Sequence, residues 1–465
     1  MAGIGFKLAQ VAREGGVGGI VGAAAHGAVI SAGPWLMTAV AMGLLERWAA
    51  VHLTPADGLI VQTVLIYAFS LSALAAAPIG IVATRLVADR IFARDAAGIP
   101  GIVLLALAVG GIIGLAGGAV LFGVVGGLPF AQALTATVAL AWLAQIWIAG
   151  PMLTALDRYR AVPVAYLIGI GVAAGALWLW PHGELLGVLL VITGGIGLTL
   201  AAILLVLRRH FTSDVVLPPR DAMHPRLALI IALAGIAGVV AIWIDKWILW
   251  VGPASQIAVG ALRLNPINDE GSFLGLLTIV PGLTLLLIVT ETRFDRAFGS
   301  MLARCTGTST LERIEEARAE VVTVMGNSLR LLVLVQLLIA AFAWVLAVPL
   351  FDAIGADVRA IFAFRQTSAG AVFHLVVIAT SVVLAYYDLF GRILVTWASF
   401  ALASALATYV QFDAGFAAFG WGYMAGAVVG AFVGLALVAE ASMNMTYLLF
   451  VGNNPAVVGH GGRWL

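Results

Sequence analysis

Twelve runs of about 20 or more mostly apolar residues divide this chain, each long enough to cross a bilayer as a helix. They lie near 16–45, 57–84, 101–125, 130–156, 161–181, 184–207, 227–251, 272–292, 328–351, 366–388, 392–412 and 416–439. Every backbone polar group in hydrocarbon must be satisfied within the protein, and runs of this length select helix over barrel. The expected fold class is an all-α polytopic membrane protein with twelve transmembrane helices. Only Pro181-His182-Gly183 separates the fifth run from the sixth. Residues 1–15 are too polar, and the first run too long, for a cleaved secretion signal.

Basic residues orient the spans. With twelve spans, 19 of the 24 Lys and Arg residues fall on the side of the termini. Arg47, Arg263, Arg359 and Arg365 fall on the other side, and Lys246 sits inside a span. The positive-inside rule then puts both termini of this multi-pass chain in the cytoplasm.

The polar gap 208–226, from Arg208-Arg209-His210 through Pro218-Pro219 to Arg226, has six runs before it and six after. The expected organisation is an interfacial helix over 1–15, a lobe of spans 1–6 over 16–207, a cytoplasmic linker over 208–226, a lobe of spans 7–12 over 227–439, and a cytoplasmic tail over 440–465. Such symmetry is the arrangement of alternating-access transporters. Within the second lobe, Ser309 and Glu312 fit a capping box opening an amphipathic helix over 308–327. Its stripe of Leu311, Ile314, Val321 and Val324 suits either a solvated extension of span nine or a partner-docking helix.

Several chemistries are excluded. Neither lysine, Lys7 or Lys246, follows a Gly-rich loop, so there is no Walker A site for an ATP-driven pump. There is no His-Glu-x-x-His, no Gly-x-Ser-x-Gly and no Asp-x-Asp, and Asn268-Asp269-Glu270 lacks calcium-loop spacing. A single cysteine, Cys305, allows no internal disulfide. The chain reads as a membrane transporter rather than an enzyme, with no metal or cofactor expected.

Ionisable residues at depth are costly and therefore functional candidates. The first lobe offers only His26; Asp57, Asp157 and Glu184 sit at span ends. Span seven carries Trp243-Ile244-Asp245-Lys246-Trp247-Ile248-Leu249-Trp250. Helical spacing groups Trp243, Lys246, Trp247 and Trp250 on one face, with Asp245 about 100° away. The tryptophans suit an interfacial belt with Lys246 snorkelling outward, or an aromatic platform for sugar rings. Asp245 is expected to face protein, water or substrate, away from Lys246. Glu291 and Arg293 close span eight as interfacial anchors or as part of a gate. Asp388 and Arg392, four apart, form an ion pair if the helix continues.

The spans also carry breaks. Gly33-Pro34 lies in span one, whose 30 residues would otherwise reach about 45 Å. Pro34 cannot donate to Ile30, so a kink or unwound turn is expected. Pro281-Gly282 does the same in span eight. Gly422, Gly426, Gly430 and Gly434 form one ridge of span twelve, suited to close helix packing.

Together these motifs resemble the PelG family of Pel exopolysaccharide transporters. The resemblance rests on Met1-Ala2-Gly3-Ile4-Gly5-Phe6, Ser31-Ala32-Gly33-Pro34-Trp35, Thr84-Arg85 with Ala88-Asp89-Arg90, and Trp243-Ile244-Asp245-Lys246-Trp247. It continues in Leu262-Arg263 with Asn265-Pro266-Ile267, Thr278-Ile279-Val280-Pro281-Gly282, Glu291-Thr292-Arg293-Phe294 and Tyr386-Tyr387-Asp388-Leu389. The family has a more polar pair where this chain has Asn265 and Asn268. The resemblance implies a MATE-like fold, two six-helix bundles around a central cleft, that passes an N-acetylgalactosamine-rich polymer across the inner membrane. It also implies a cytoplasmic glycosyltransferase partner and membrane subunits, one of them sensing cyclic di-GMP. The alternatives are a lipid-linked oligosaccharide flippase, which needs cations at depth for a pyrophosphate, and a cation-coupled small-molecule antiporter, which needs deep acids.

Overall fold

The computed structural model describes residues 16–95, 97–156, 158, 160–180, 184–210 and 223–452. The expected helix over 1–15 lies outside the described residues, as do 211–222 of the expected linker and 453–465 of the tail.

The chain is helical almost throughout. In order come α1 (Gly16–His52), α2 (Pro55–Phe92), α3 (Ile99–Gly118, continued by a π turn over Ala119–Val125) and α4 (Phe130–Ala155). Then follow α5 (Ala161–Leu179), α6 (Leu185–His210) and α7 (Pro225–Trp250). A hairpin of β1 (Gln256–Val259) and β2 (Leu262–Leu264) precedes α8 (Pro266–Leu277) and α9 (Val280–Val289). After a π turn over Thr290–Phe294 come α10 (Asp295–Thr306), α11 (Leu311–Ile354), α12 (Ala360–Tyr386), α13 (Phe390–Val410) and α14 (Trp421–Met443). Among the described residues, eleven helical segments are long and apolar enough to cross a membrane, with α8–α10 making one of them. The 37-residue α1 accounts for the remaining run.

Local chemistry sets the ends. Thr54 caps α2, its hydroxyl accepting from the Asp57 amide at 3.1 Å, with Pro55 in the first turn. Gly98 and Gly355 take left-handed backbone at the start of α3 and the end of α11.

Four expectations change. First, α1 runs unbroken through Gly33-Pro34, so no turn is unwound there. Second, span eight starts at Pro266 and breaks at Thr278-Ile279. Third, α11 begins after Thr310, whose side chain makes no cap bond, so Ser309 and Glu312 form no capping box. Fourth, the hairpin interrupts the all-helical plan. Its two-residue Gly260-Ala261 turn fits strand twist because Gly260 adopts φ +57°.

The backbone divides into two compact units. The N unit takes Gly33–Trp243 and Ser255–Asn265; the C unit takes the remainder. This differs from a division inside 208–226, because α7 up to Trp243 groups with the helices that precede it. Gly235 shows the reason: a Cβ there would lie 3.0 Å from the Ala77 carbonyl oxygen of α2. The hairpin also belongs to the N unit. Tyr67 donates to the Arg263 carbonyl at 3.0 Å, and the Ala261 amide to the Val125 carbonyl at 3.0 Å.

Within the C unit the apolar stripe of α11 is occupied. Ile314 is buried, and Ala317, Val321 and Met325 pack with Phe294, Met301, Leu384 and Val438. Leu311, by contrast, is 65% exposed. The 308–327 region thus extends α11, its buried face covered from inside the unit. The α14 glycine ridge packs on α13 and α12. A Cβ on Gly426 would meet Ser404 at 2.6 Å, and one on Gly434 would meet Thr380 at 2.5 Å.

Candidate functional site in the C unit

The end of α7, from Ile244 on, brings Asp245, Lys246, Trp247 and Trp250 into the C unit. Asp245 and Lys246 are 1% and 6% exposed, so neither lies at a lipid-facing or watery surface. Lys246 Nζ donates to both Asp245 carboxylate oxygens at 3.1 Å. This overturns the expectation that Asp245 faces away from Lys246. The helical wheel separates the two Cβ atoms, but a four-carbon stem lets the ammonium fold back onto its neighbour. It also removes the snorkelling reading. A lysine buried this far must be paired, and the adjacent carboxylate neutralises it.

Above this pair sits an aromatic and imidazole group. Lys246 Nζ lies 5.4 Å from the Tyr423 ring centroid, within cation–π range. Tyr423 is fully buried, and its hydroxyl is 2.6 Å from His374 Nδ1. Edge-on rings of Trp397 and Phe400 enclose the imidazole, with centroids at 5.6 and 5.5 Å. His374 Nε2 is buried and has no hydrogen-bond partner. Tyr423 reaches this position because Gly370 of α12 has no side chain; a Cβ there would stand 2.8 Å from the tyrosine ring.

A second polar chain runs between α7, α8 and α12. Trp250 Nε1 donates to Asp269 Oδ2 at 2.8 Å, which buries the tryptophan in protein and takes it out of the interfacial belt. Ser272 donates to Asn268 Oδ1 at 3.3 Å, and Thr367 to Ser272 at 3.4 Å. The α8–α12 approach depends on Gly271 and Gly275, where a Cβ would meet the Ala360 and Phe364 carbonyl oxygens at 2.2 and 2.7 Å. Trp243 and Trp247 are half-buried, and Trp247 Nε1 is enclosed without a hydrogen-bond partner.

The break in span eight has its own partner. Gln336 of α11 is fully buried, and its Nε2 donates to the Thr278 carbonyl at 2.9 Å. A side chain from a neighbouring helix thus satisfies a carbonyl left at the interruption. Pro281 stands in the first turn of α9, and Gly282 is buried where a Cβ would meet Gln336 Oε1 at 2.5 Å.

The remaining sequence candidates lie elsewhere. Gly33 is buried within α1, and the side chain of Pro34 lies outside the description. Glu291 and Arg293 occupy the π turn after α9, the first half-buried and the second exposed. Asp388 and Arg392 do not form the expected helical pair. α12 ends at Tyr386 and Asp388 takes φ +62° in the turn, so four residues do not make one helical repeat here. Arg392 pairs instead with Glu440 of α14 and donates to the Leu437 carbonyl at 3.2 Å.

Sequence reading missed His374, Tyr423, Gln336 and the Asp269–Trp250 bond. The available signal was a polar residue in the middle of an apolar run, which holds for Gln336, His374 and Tyr423.

The backbone is similar to a MATE transporter in its straight conformation, with TM-score 0.65 and 16% identity over 96% of this chain and 98% of that one. It is also similar to a MOP superfamily transporter from Pyrococcus furiosus, with TM-score 0.61 and 16% identity over 90% and 94% of the two chains. A third likeness is to the inward-facing conformation of a multidrug resistance MATE family transporter, with TM-score 0.63 and 16% identity over 90% and 99%. The fold is therefore that of the MOP superfamily, and the protein is a multi-pass membrane protein. No curated protein matches the sequence. The model of the PelG family, described as "Putative exopolysaccharide Exporter (EPS-E)", matches residues 1–450, and the chain belongs to that family.

Proposed function

We propose that this protein carries a Pel-type, N-acetylgalactosamine-rich exopolysaccharide across the bacterial inner membrane, with both termini cytoplasmic. The observation that carries the reading is the family match over residues 1–450. The site chemistry agrees with it. A neutral amino-sugar polymer is recognised by aromatic faces and by hydroxyl and amide hydrogen bonds, not by a strong field. Asn268, Ser272, Gln336 and Thr367 of the C unit are buried groups of that kind, and the buried ammonium of Lys246 is neutralised by Asp245. In this reading the protein transports and does not catalyse. The polymer comes from a cytoplasmic glycosyltransferase, and accessory membrane subunits, one sensing cyclic di-GMP, complete the assembly.

Inverted membrane vesicles containing the glycosyltransferase test the proposal. Polymer made from nucleotide sugar should become resistant to an external glycosidase only when the transporter is present. Equal protection without the transporter would overturn it.

A further inference from the structure

The buried group around His374 has more polar capacity than the fold needs. Asp245 and Lys246 already neutralise each other at 3.1 Å. Tyr423 and His374 share one hydrogen bond at 2.6 Å. That bond uses one ring nitrogen, while Nε2 stays enclosed and unpartnered in a residue only 4% exposed. Leaving a buried polar atom unpaired costs about 1–3 kcal/mol, a cost an apolar residue at this position would avoid. An intramembrane histidine with an unfilled ring nitrogen, joined through a tyrosine to a buried acid–base pair, is the chemistry of proton relays.

We propose that His374, with Tyr423 and the Asp245–Lys246 pair, is a proton-binding site within the C unit, and that proton uptake there is coupled to the transport cycle. In the tautomer that carries hydrogen on Nδ1, this nitrogen donates to the Tyr423 oxygen and Nε2 presents a bare lone pair. A proton arriving at Nε2 gives an imidazolium and raises the charge of the group from zero to plus one. A second cation, His374, then stands in the same buried group as Lys246, and its charge acts against the Asp245–Lys246 pairing. The groups facing the imidazole limit where compensation can come from. α14 supplies Tyr423 and α13 the uncharged Trp397 and Phe400; on the Tyr423 ring lies the Lys246 ammonium of α7, with Asp245 as its partner. Asp269 of α8 already accepts from Trp250. Protonation therefore favours any state in which Asp245 leaves Lys246 or water reaches the imidazole. A differential affinity of this kind is what couples an ion to a conformational equilibrium.

The coupling to export rests on the proposed function, whereas the proton site does not, and the test separates them. The purified full-length protein in lipid nanodiscs is titrated downward from about pH 8.5, above the range of an ordinary histidine, to about pH 3. Tryptophan emission, to which Trp397 beside the imidazole contributes, is the readout. A one-proton transition is expected in the wild type and in the neutral double variant Asp245→Asn/Lys246→Met, and is expected to vanish in His374→Gln. Cells held at two external pH values then report polymer export. The wild type should show a several-fold ratio between them, and the double variant a ratio near one. Identical titrations of wild type and His374→Gln would overturn the proton site. A pH ratio unchanged in the double variant would overturn the coupling. Absence of export from every strain, with the titration intact, would sink the cargo assignment and support the proton site.

Discussion

Removing one member of the Asp245–Lys246 pair is the perturbation whose size the structure fixes best. At 3.1 Å, and with an effective dielectric constant of about 20, the mutual attraction is about 5 kcal/mol. Desolvation offsets much of that in the intact pair, so the pair adds little net stability. The loss of one partner has no such offset. Lys246→Met keeps the stem but leaves a carboxylate 1% exposed without its ammonium, at a cost of about 3–5 kcal/mol. Asp245→Asn should cost a similar amount by stranding the lysine. The double variant Asp245→Asn/Lys246→Met carries no buried charge and should return close to wild-type stability. Thermal unfolding of the purified protein in detergent provides the assay. Each single variant should melt about 3–5 °C lower, because unfolding entropy scales with chain length, and the double variant within about 1 °C of wild type. A double variant as unstable as either single one would refute the reasoning, since the deficit would then come from packing. Export divides the roles further: a stable double variant whose export no longer depends on external pH assigns the pair to transport, and one that keeps the wild-type pH ratio assigns it to structure.

Three further outcomes follow from individual contacts. Gly426→Leu should destabilise the C unit by about 1–3 kcal/mol, because a Cβ already meets Ser404 at 2.6 Å, and its melting should fall well below that of a lipid-facing control such as Phe432→Leu. Trp250→Phe should cost about 1–3 kcal/mol by removing the indole donor from Asp269, and Asp269→Asn on top of it should recover part of the loss, as a double-mutant cycle will show. Reporter fusions at Ala56 and Asp357 should be read as outside and one at Thr308 as inside; reversal at two of these sites would break the topology.

The spans were legible because hydropathy over about 20 residues reports the same partition into lipid that holds the helix in place. The run expected at 130–156 is α4 over Phe130–Ala155, and that expected at 227–251 is α7 over Pro225–Trp250. The eighth run failed for an instructive reason. Asn268, Asp269 and Ser272 score as solvent-facing, yet they are buried against protein, so α8 begins at Pro266 and not near 272. The site was legible only in part. Asp245 and Lys246 stood out as charges in an apolar run, but a helical wheel places Cβ atoms and not the tips of long side chains. His374 and Tyr423 meet across 49 residues of sequence, and no local pattern announces such a contact. Arg392 likewise finds Glu440 of another helix because the turn at Asp388 ends the periodicity that would have joined it to its neighbour.

The same placement of charge bears on the nature of the cargo. A lipid-linked pyrophosphate calls for cations held at depth without a counter-charge of their own, since the ligand itself would supply it. Among the described residues, Lys246 is the buried lysine, and no arginine is buried. Its ammonium already faces two carboxylate oxygens and the face of Tyr423. An incoming anion would have to displace Asp245 and leave that carboxylate stranded, at a cost of the order worked out above for Lys246→Met. A neutral saccharide meets no such barrier, because it needs only hydroxyl and amide partners and aromatic faces. On the proposed function, a pair standing on the transport path would select against anionic cargo and leave neutral sugar unopposed, through a pairing between two residues adjacent in the chain.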